Sequence, residues 1–377
     1  MRKITKTELK RMLANHNKWL AGKGGVCADF TNADLTGIDL SYTNLTGVIF
    51  IGADLSNANL TGARLSNANF WHARLVEANL NDANLSNANL YDANLIRAKL
   101  NSANFLNTDL SYVYLAEASL RHANLNQVKL VKANLTGADL TYAHLIQANL
   151  SEAYLNEAKL SYAELESADL SKAKLVDADL SHSDLMHANL SEASLYRANL
   201  QSVSAKYVNF KCTDLANTYC ECANFSRSYF VKANLRYADL SYATLKGADL
   251  EDADFNYATL NSTSLDDKEN IRLGITVDKP ITGYKKCLDG LVVELRIPKG
   301  SIVFSINNSK CRTNKAEVIS ITDNNGNTYD QALAWYDGKF TYKVGDIVEP
   351  DTFDLRYNVE CTAGIHFFRT REEAENY

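Results

Sequence analysis

VCADF TNADL TGIDL SYTNL, residues 26–45, reads as four blocks of five, and the same frame runs to residue 265 without an insertion or deletion. From Phe30 to Leu265 every fifth residue gives 48 positions, and 46 of them are Leu or Phe; the exceptions are Ala205 and Cys220. Two residues earlier stands Ala at 35 of the 48, and mostly Thr, Val or Ser elsewhere. A fixed period decides the architecture before any local propensity does.

Period five excludes the common elements. On a helix, successive Leu would be about 140° apart and define no face. On a strand, an odd period sends successive Leu to opposite faces. What remains is a short extended segment that points Leu and the residue two before it inward, followed by a two-residue turn. Gly37, Gly47, Gly52, Gly62, Gly137 and Gly247 fall two after the inward residue, as do Asn32, Asn57, Asn67, Asn87 and Asn107. Both types accept the positive φ that a type II turn needs there. Five of the eight inward Phe (Phe30, Phe50, Phe70, Phe210, Phe230) differ by multiples of 20, as do Tyr142 and Tyr162 on the outside. Four blocks per coil follow, giving 48/4 = 12 coils and, at a strand spacing of about 4.8 Å, a column roughly 58 Å tall.

The block, seen here as ANLSN, ADLSY and ANLTG, resembles the A(D/N)LXX signature of pentapeptide-repeat proteins over residues 26–265. The resemblance implies an all-β chain built on a right-handed, four-sided β-helix with Leu, Phe and Ala inside. It implies no single activity, because a fold hosts many functions.

The remaining sequence divides into two further parts. Residues 1–25 carry seven Lys and Arg against one acid, a balance of +6. Thr5 and Glu8 have capping-box spacing, and Leu9, Met12, Leu13, His16, Trp19 and Leu20 share one helical face before Gly22, Gly24 and Gly25. This reads as a helix that covers the open first coil with Trp19 as its plug, in preference to a basic face for an anionic partner. Residues 266–377 leave the frame and read as a β-rich domain. Apolar runs at Leu291–Ile297, Ile302–Ile306, Val318–Ile321, Phe340–Val344 and Ile365–Phe368 are separated by turns such as Pro298-Lys299-Gly300 and Asp337-Gly338, and Thr370 with Glu373 caps a last helix. Its end, ECTAGIHFFRTREEAENY, resembles an uncharacterised domain that accompanies pentapeptide repeats in phage and bacterial proteins.

Charge and cysteine usage bound the function. The repeat carries 17 bases and 26 acids, a balance of -9, and lacks the basic stripe of a direct nucleic-acid binder. No apolar leader follows the basic N-terminus, and no membrane-length apolar run exists. Seven Cys without paired spacing predict free thiols and a cytoplasmic setting. Cys212, Cys220 and Cys222 fall on different sides of the coil frame and predict no metal site; Cys287, Cys311, Cys361 and His366 lack a C-x-x-C pair. No nucleophile motif, phosphate loop or metalloprotease helix is present, so neither catalysis nor a cofactor is expected. His72, His122, His182 and His187 occupy outward turn slots. Around residues 201–230, Val203, Val208, Thr213 and Thr218 enlarge one inward slot where Ala205 and Cys220 shrink the other.

The reading that follows is a non-enzymatic binding or scaffold protein. The family resemblance implies an alternative, since some members resemble B-form DNA and bind DNA gyrase; a third is an unrecognised enzyme activity in residues 266–377. The slot after each inward residue is usually Ser, Thr or Asn, but Ile51, Trp71 and Tyr91 hold it in three successive coils. Val76 and Ile96 hold it one corner onward. These five predict an apolar stripe for a protein partner or a second copy, with Trp71 as its anchor.

Overall fold

The computed structural model describes residues 1–255, 257–264, 275–277, 279–307, 310–334, 340–350 and 364–376. Its contacts divide the chain into two compact units, Met1–Asp254 with Ala258–Asp266, and Phe255–Tyr257 with Asp267–Tyr377.

The first unit is built from one repeated hydrogen-bond set, which the block from Ala53 to Asn57 illustrates. Ala53 N–H closes a turn on the Phe50 carbonyl (3.0 Å), and Asp54 N–H donates to the Ala33 carbonyl of the previous coil (2.9 Å). Leu55 and Asn57 donate to the Arg74 and Val76 carbonyls of the next coil (2.6 and 2.9 Å). Ser56 N–H, at the turn's first central position, is taken by the Asp54 carboxylate (2.9 Å). All five amides are therefore satisfied, which explains why Asp or Asn belongs between Ala and Leu. Parallel bridges join residue i to residue i + 20 from Asp29↔Ile49 through Thr244↔Ser264, so each coil contains four blocks.

The second central residue of each turn is left-handed whatever its type. Asn57 has φ 56°, but so do Lys132 at 56°, Glu77 at 57° and Tyr142 at 59°. Such a φ is unfavourable for a long side chain. Here the amide of that residue is fixed to the next coil and the turn is closed behind it, so the surroundings hold the strain in place.

Inward side chains fill the column. Leu120 and its counterparts from Phe30 to Leu245 are buried, and Leu250 near the end of the column is half-buried. Phe30, Phe50 and Phe70 stack coil over coil at centroid distances of 5.2 and 4.9 Å, and Phe210 and Phe230 at 4.8 Å. The size exchange near residues 201–230 runs vertically as well as within a coil. Phe225 lies one coil after Ala205 in the same slot and meets Phe210 and Phe230 edge-on at 5.6 and 5.4 Å. Polar residues in the Ala slot are satisfied by the backbone: Thr213 and Thr218 hydroxyls donate to the Leu190 and Leu215 carbonyls, each at 2.7 Å.

The N-terminal segment forms β1 (Arg2–Lys3) and α1 (Lys6–Leu20), and β1 pairs in parallel with β2 (Ala33–Asp34). Thr5 caps α1 by accepting from Glu8 N–H at 3.2 Å. The buried residue of α1 is His16, whose Nδ1 accepts from Ala28 N–H at 3.2 Å. Ala28 lacks a preceding block to close its turn, and the imidazole supplies the missing acceptor. Trp19 is not the plug that its helical face suggested. It remains 43% exposed, stacked on His16 and set against Gly47, because the smaller imidazole takes the polar position over the coil.

The second unit is an antiparallel β-sheet structure. Its strands are β3 (Ile275–Thr276), β4 (Ile281–Lys286), β5 (Val292–Ile297), β6 (Ile302–Asn307), β7 (Lys310–Thr313), β8 (Ala316–Thr322), β9 (Gln331–Leu333), β10 (Thr341–Lys343), β11 (Ile347–Val348) and β12 (Ile365–Phe368). Eight of them form one sheet in the order β11-β8-β5-β4-β12-β7-β6-β3, and β9 pairs with β10. One face carries the core of Val293, Leu295, Ile297, Cys311, Val318 and Phe367. On the other, α2 (Arg371–Asn376) sets Ala374 against Val292 and Phe368. Thr370 and Glu373 form the expected box, with Glu373 N–H donating to the Thr370 hydroxyl (3.3 Å) and Thr370 N–H to the Glu373 carboxylate (3.0 Å). Strands β3, β4, β7, β9 and β11 have no counterpart among the apolar runs. In β4, Gly283 interrupts the alternation because a Cβ there would lie 2.2 Å from the Phe367 ring. Asp337-Gly338 and Cys361 lie outside the described residues.

Candidate partner-binding surface

Because coils repeat every 20 residues, each outward slot generates a vertical ladder whose neighbours are read directly from the sequence. The left-handed slot carries the longest ones. His122, Tyr142, Tyr162 and His182 stack with centroids 5.1, 4.9 and 4.8 Å apart. His187 stacks on Tyr207 at 5.0 Å, and Arg227 donates to the Tyr207 hydroxyl at 2.6 Å. Charges alternate in the same way: Arg97 with Glu117 at 2.9 Å, Lys132 with Glu152 at 3.4 Å, Arg197 with Asp177 at 2.9 Å. The outward histidines are thus organised into rows or pairs, His72 with Asp92 at 2.7 Å among them. Solvent screens these exposed ion pairs, so each adds little to stability, and their larger effect is to intersperse positive charge along an acidic surface.

Turn carboxylates also feel this local order. Hydrogen bonds from the Thr36 hydroxyl and amide hold Asp34 below its ordinary range, and those from the Ser41 amide and hydroxyl do the same for Asp39.

The stripe predicted from the slot after the inward residue divides at a corner. Ile51, Trp71 and Tyr91 are aligned in successive coils, with Gly52 N–H donating to the Trp71 carbonyl (2.9 Å) and His72 N–H to the Tyr91 carbonyl (3.2 Å). Val76 and Ile96 form a separate ladder one turn onward, in which Glu77 N–H donates to the Ile96 carbonyl at 3.0 Å. Trp71 and Tyr91 are 43% and 37% exposed, while Ile51, Val76 and Ile96 are half-buried. The two aromatic residues line a shallow groove of about 550 Å³ with Asn69, Asn87, Asn89 and Asp109, on the wall before the corner. Ile51, Val76 and Ile96 do not line it. The aromatic surface continues instead through Tyr91 to Tyr112, whose rings are 5.2 Å apart. Its extension was detectable in the sequence as Tyr in the left-handed slot one coil after Asp92.

The cysteines follow the inward and outward frame. Cys220 is buried, with burial pushing its thiol up to about 12, whereas Cys212 and Cys222 are exposed. Cys287 and Cys311 are buried in the second unit. Among the described residues no group of three or more His, Cys, Asp or Glu is placed to hold a metal ion. No helix among them is long and apolar enough to cross a membrane.

Comparisons with known proteins place this geometry. A model described as pentapeptide repeats (8 copies) matches seven stretches, 28–67, 63–101, 88–127, 133–175, 163–201, 209–247 and 233–267. Residues 271–374 match a family of unknown function (DUF5758). An uncharacterised protein of Acanthamoeba polyphaga mimivirus is 41% identical over 96 residues, which are 23% of this chain and 61% of that one. The chain thus spans less than two thirds of that relative. Among solved structures, HetL, a pentapeptide repeat protein involved in heterocyst differentiation regulation from the cyanobacterium Nostoc sp. strain PCC 7120, is 31% identical; 69% of this chain and 98% of that chain are covered, with a TM-score of 0.25. A trypsin-treated form of QnrB1, a plasmid-mediated fluoroquinolone resistance protein, is 19% identical, with 60% of this chain and 94% of that chain covered and a TM-score of 0.32. Pentapeptide repeat proteins form right-handed β-helices, and with its repeat frame matched over well more than half its length the chain belongs to the pentapeptide repeat family.

Proposed function

We propose that this protein is a non-enzymatic scaffold whose twelve-coil column, residues 26–265, presents a rigid surface to a protein partner or a second copy. The carrying observation is the pair Trp71 and Tyr91, exposed one coil apart in a common groove on a framework whose backbone amides are bonded coil to coil. Exposed aromatic residues on a rigid scaffold lose little conformational freedom on contact and dominate interface energetics. Ile51, in the same ladder as Trp71, and Val76 and Ile96 across the corner form the apolar margin of the contact. Residues 1–25 act as the cap: β1 supplies the missing rung beside Ala33, and His16 supplies the missing acceptor for Ala28. Residues 266–377 form a separate domain with no catalytic role. Six described cysteines are unpaired, which favours a reducing, cytoplasmic setting.

The test is affinity capture and sedimentation with the full chain, comparing Trp71→Ser with Tyr219→Ser, a 61% exposed tyrosine outside the groove. Loss of a captured protein or of self-association in Trp71→Ser alone is the expected outcome. Identical capture and sedimentation by the wild type and Trp71→Ser would remove the groove from the interface.

A further inference from the structure

A second concavity lies beyond the corner from Trp71 and owes its shape to a departure from the repeat. The slot between Ala and Leu is normally Asp or Asn, but Tyr114 and Tyr154 occupy it two coils apart, with Asn134 between them. The Asn134 side chain folds along the wall, where its Oδ1 accepts from Thr136 N–H at 3.1 Å. A cleft of about 310 Å³ is left between the two tyrosines, floored by Asn134 and buried Val113.

Its width selects a ligand shape. Coils rise by about 4.8 Å, so positions two coils apart are offset by about 9.6 Å along the column. A flat guanidinium or aromatic group in van der Waals contact with both rings fills only about 7–8 Å. A saturated six-membered ring is thicker, because C–H bonds project from both of its faces.

Its charge selects a ligand class. The two charged residues at the cleft are already paired within the column, Asp92 with His72 at 2.7 Å and Lys132 with Glu152 at 3.4 Å. Both side chains are thereby committed to neighbours within the column. The groups with no hydrogen-bond partner among the described residues are neutral: the Tyr114 and Tyr154 hydroxyls, the Asn134 amide N–H₂ and the Thr136 hydroxyl, with Lys132 close enough to Tyr154 to interact with its phenol. Apolar walls with neutral donors and acceptors at the rim suit a ring that has C–H faces and a hydroxyl edge.

We propose that the cleft between Tyr114 and Tyr154 binds a neutral carbohydrate, with one pyranose ring seated between the two phenols. The site does not include Trp71, although Tyr112 on its lining touches Tyr91 of the Trp71 groove, with ring centroids 5.2 Å apart. Each tyrosine face buries one C–H face of the sugar, and Asn134 and Thr136 take its hydroxyls. Contact with a single ring gives millimolar affinity, which longer chains raise only if they engage neighbouring coils.

Titration of the full chain with cellopentaose, chitopentaose and maltopentaose, read by saturation-transfer NMR and calorimetry, tests this. At least one of the three binds, and Tyr114→Ala and Tyr154→Ala each weaken it at least about tenfold. Asn134→Tyr fills the gap with a third ring, preserves both original tyrosines and the thermal transition, and abolishes binding. Tyr219→Ala and Trp71→Ser leave binding unchanged, so failure here and failure of the partner groove are separately visible. The proposal is overturned if none of the three sugars binds at about 10 mM. It is equally overturned if binding survives in Asn134→Tyr or is lost in Trp71→Ser.

Discussion

At the residue scale, one side chain per block does two jobs. The Asp or Asn oxygen takes the amide of the turn two residues later, and in several places the Asn amide also bridges coils, as Asn189 does to Asp169 at 3.0 Å. That role is legible from composition alone, because an Asx turn is local. His366 in the second unit shows the opposite case. It lies opposite Arg312 across β12 and β7, and its Nε2 is buried without a hydrogen-bond partner. Burial, aided by Lys285, Lys310 and Arg312, pushes its pKa down to about 4 from the ordinary 6.5. Above pH 6.5 both the folded and unfolded forms are neutral, and the residue adds no pH dependence. As pH falls from 6.5 towards 4, the unfolded chain binds a proton that the folded one refuses, so the second unit loses stability. In histidine-labelled NMR the His366 ring should titrate far below the ordinary 6.5. His366→Gln should flatten the stability of this unit between pH 7 and 5, and a midpoint near 6.5 in the folded protein would contradict the assignment.

At the element scale, the coil is the unit of stability, and its inside and outside respond differently to the same substitution. Leu120 is fully buried, and Leu120→Lys places an unpaired charge in the column, at a cost of several kcal/mol. Glu117, three residues earlier, is exposed and paired with Arg97. Glu117→Lys removes that pair and adds a like-charge contact on a solvated surface, which changes stability little. Thermal melting of the two variants should therefore separate widely, and equal transitions would invalidate the inward and outward frame. The N-terminal helix was less completely legible. Its start at Thr5 and its apolar face follow from spacing, but the choice of His16 over Trp19 as the buried contact depends on an orphan amide at Ala28 that appears only when the first coil is closed.

At the scale of the whole molecule, the acidic balance of the repeat is not a uniform field. Seventeen bases are spread among 26 acids, and ladders such as Lys132 with Glu152 and Lys172 with Glu192 pair them along the column. A polyanion surface of the DNA type presents one sign of charge along its length, and alternation cancels that potential within roughly one Debye length of about 10 Å. DNA gyrase supercoiling should therefore be unaffected by micromolar full-length protein. Salt-sensitive inhibition would promote the DNA-like reading over the scaffold one. The second unit stands apart in kind, since its antiparallel pairings, such as β4 with β5 and β12 with β7, follow no fixed period.

The five-residue frame by itself determined the column. It assigned inward and outward positions, the 20-residue coil, the left-handed slot and the stacking of Phe30, Phe50 and Phe70, because the turn closures and coil-to-coil bonds recur at the same offsets in every block. Only the tertiary structure decided which outward side chains share a concavity. Trp71 turned towards Asn87 and Asn89 and away from Val76, and Tyr114 and Tyr154 opened a cleft over Asn134. The same holds for β1 beside β2 and for Gly283 under Phe367. The reason is physical: turn closure and coil pairing are repeated backbone interactions written into every block, whereas side-chain neighbours across a corner, at a chain end or in an aperiodic sheet depend on geometry that no local repeat encodes.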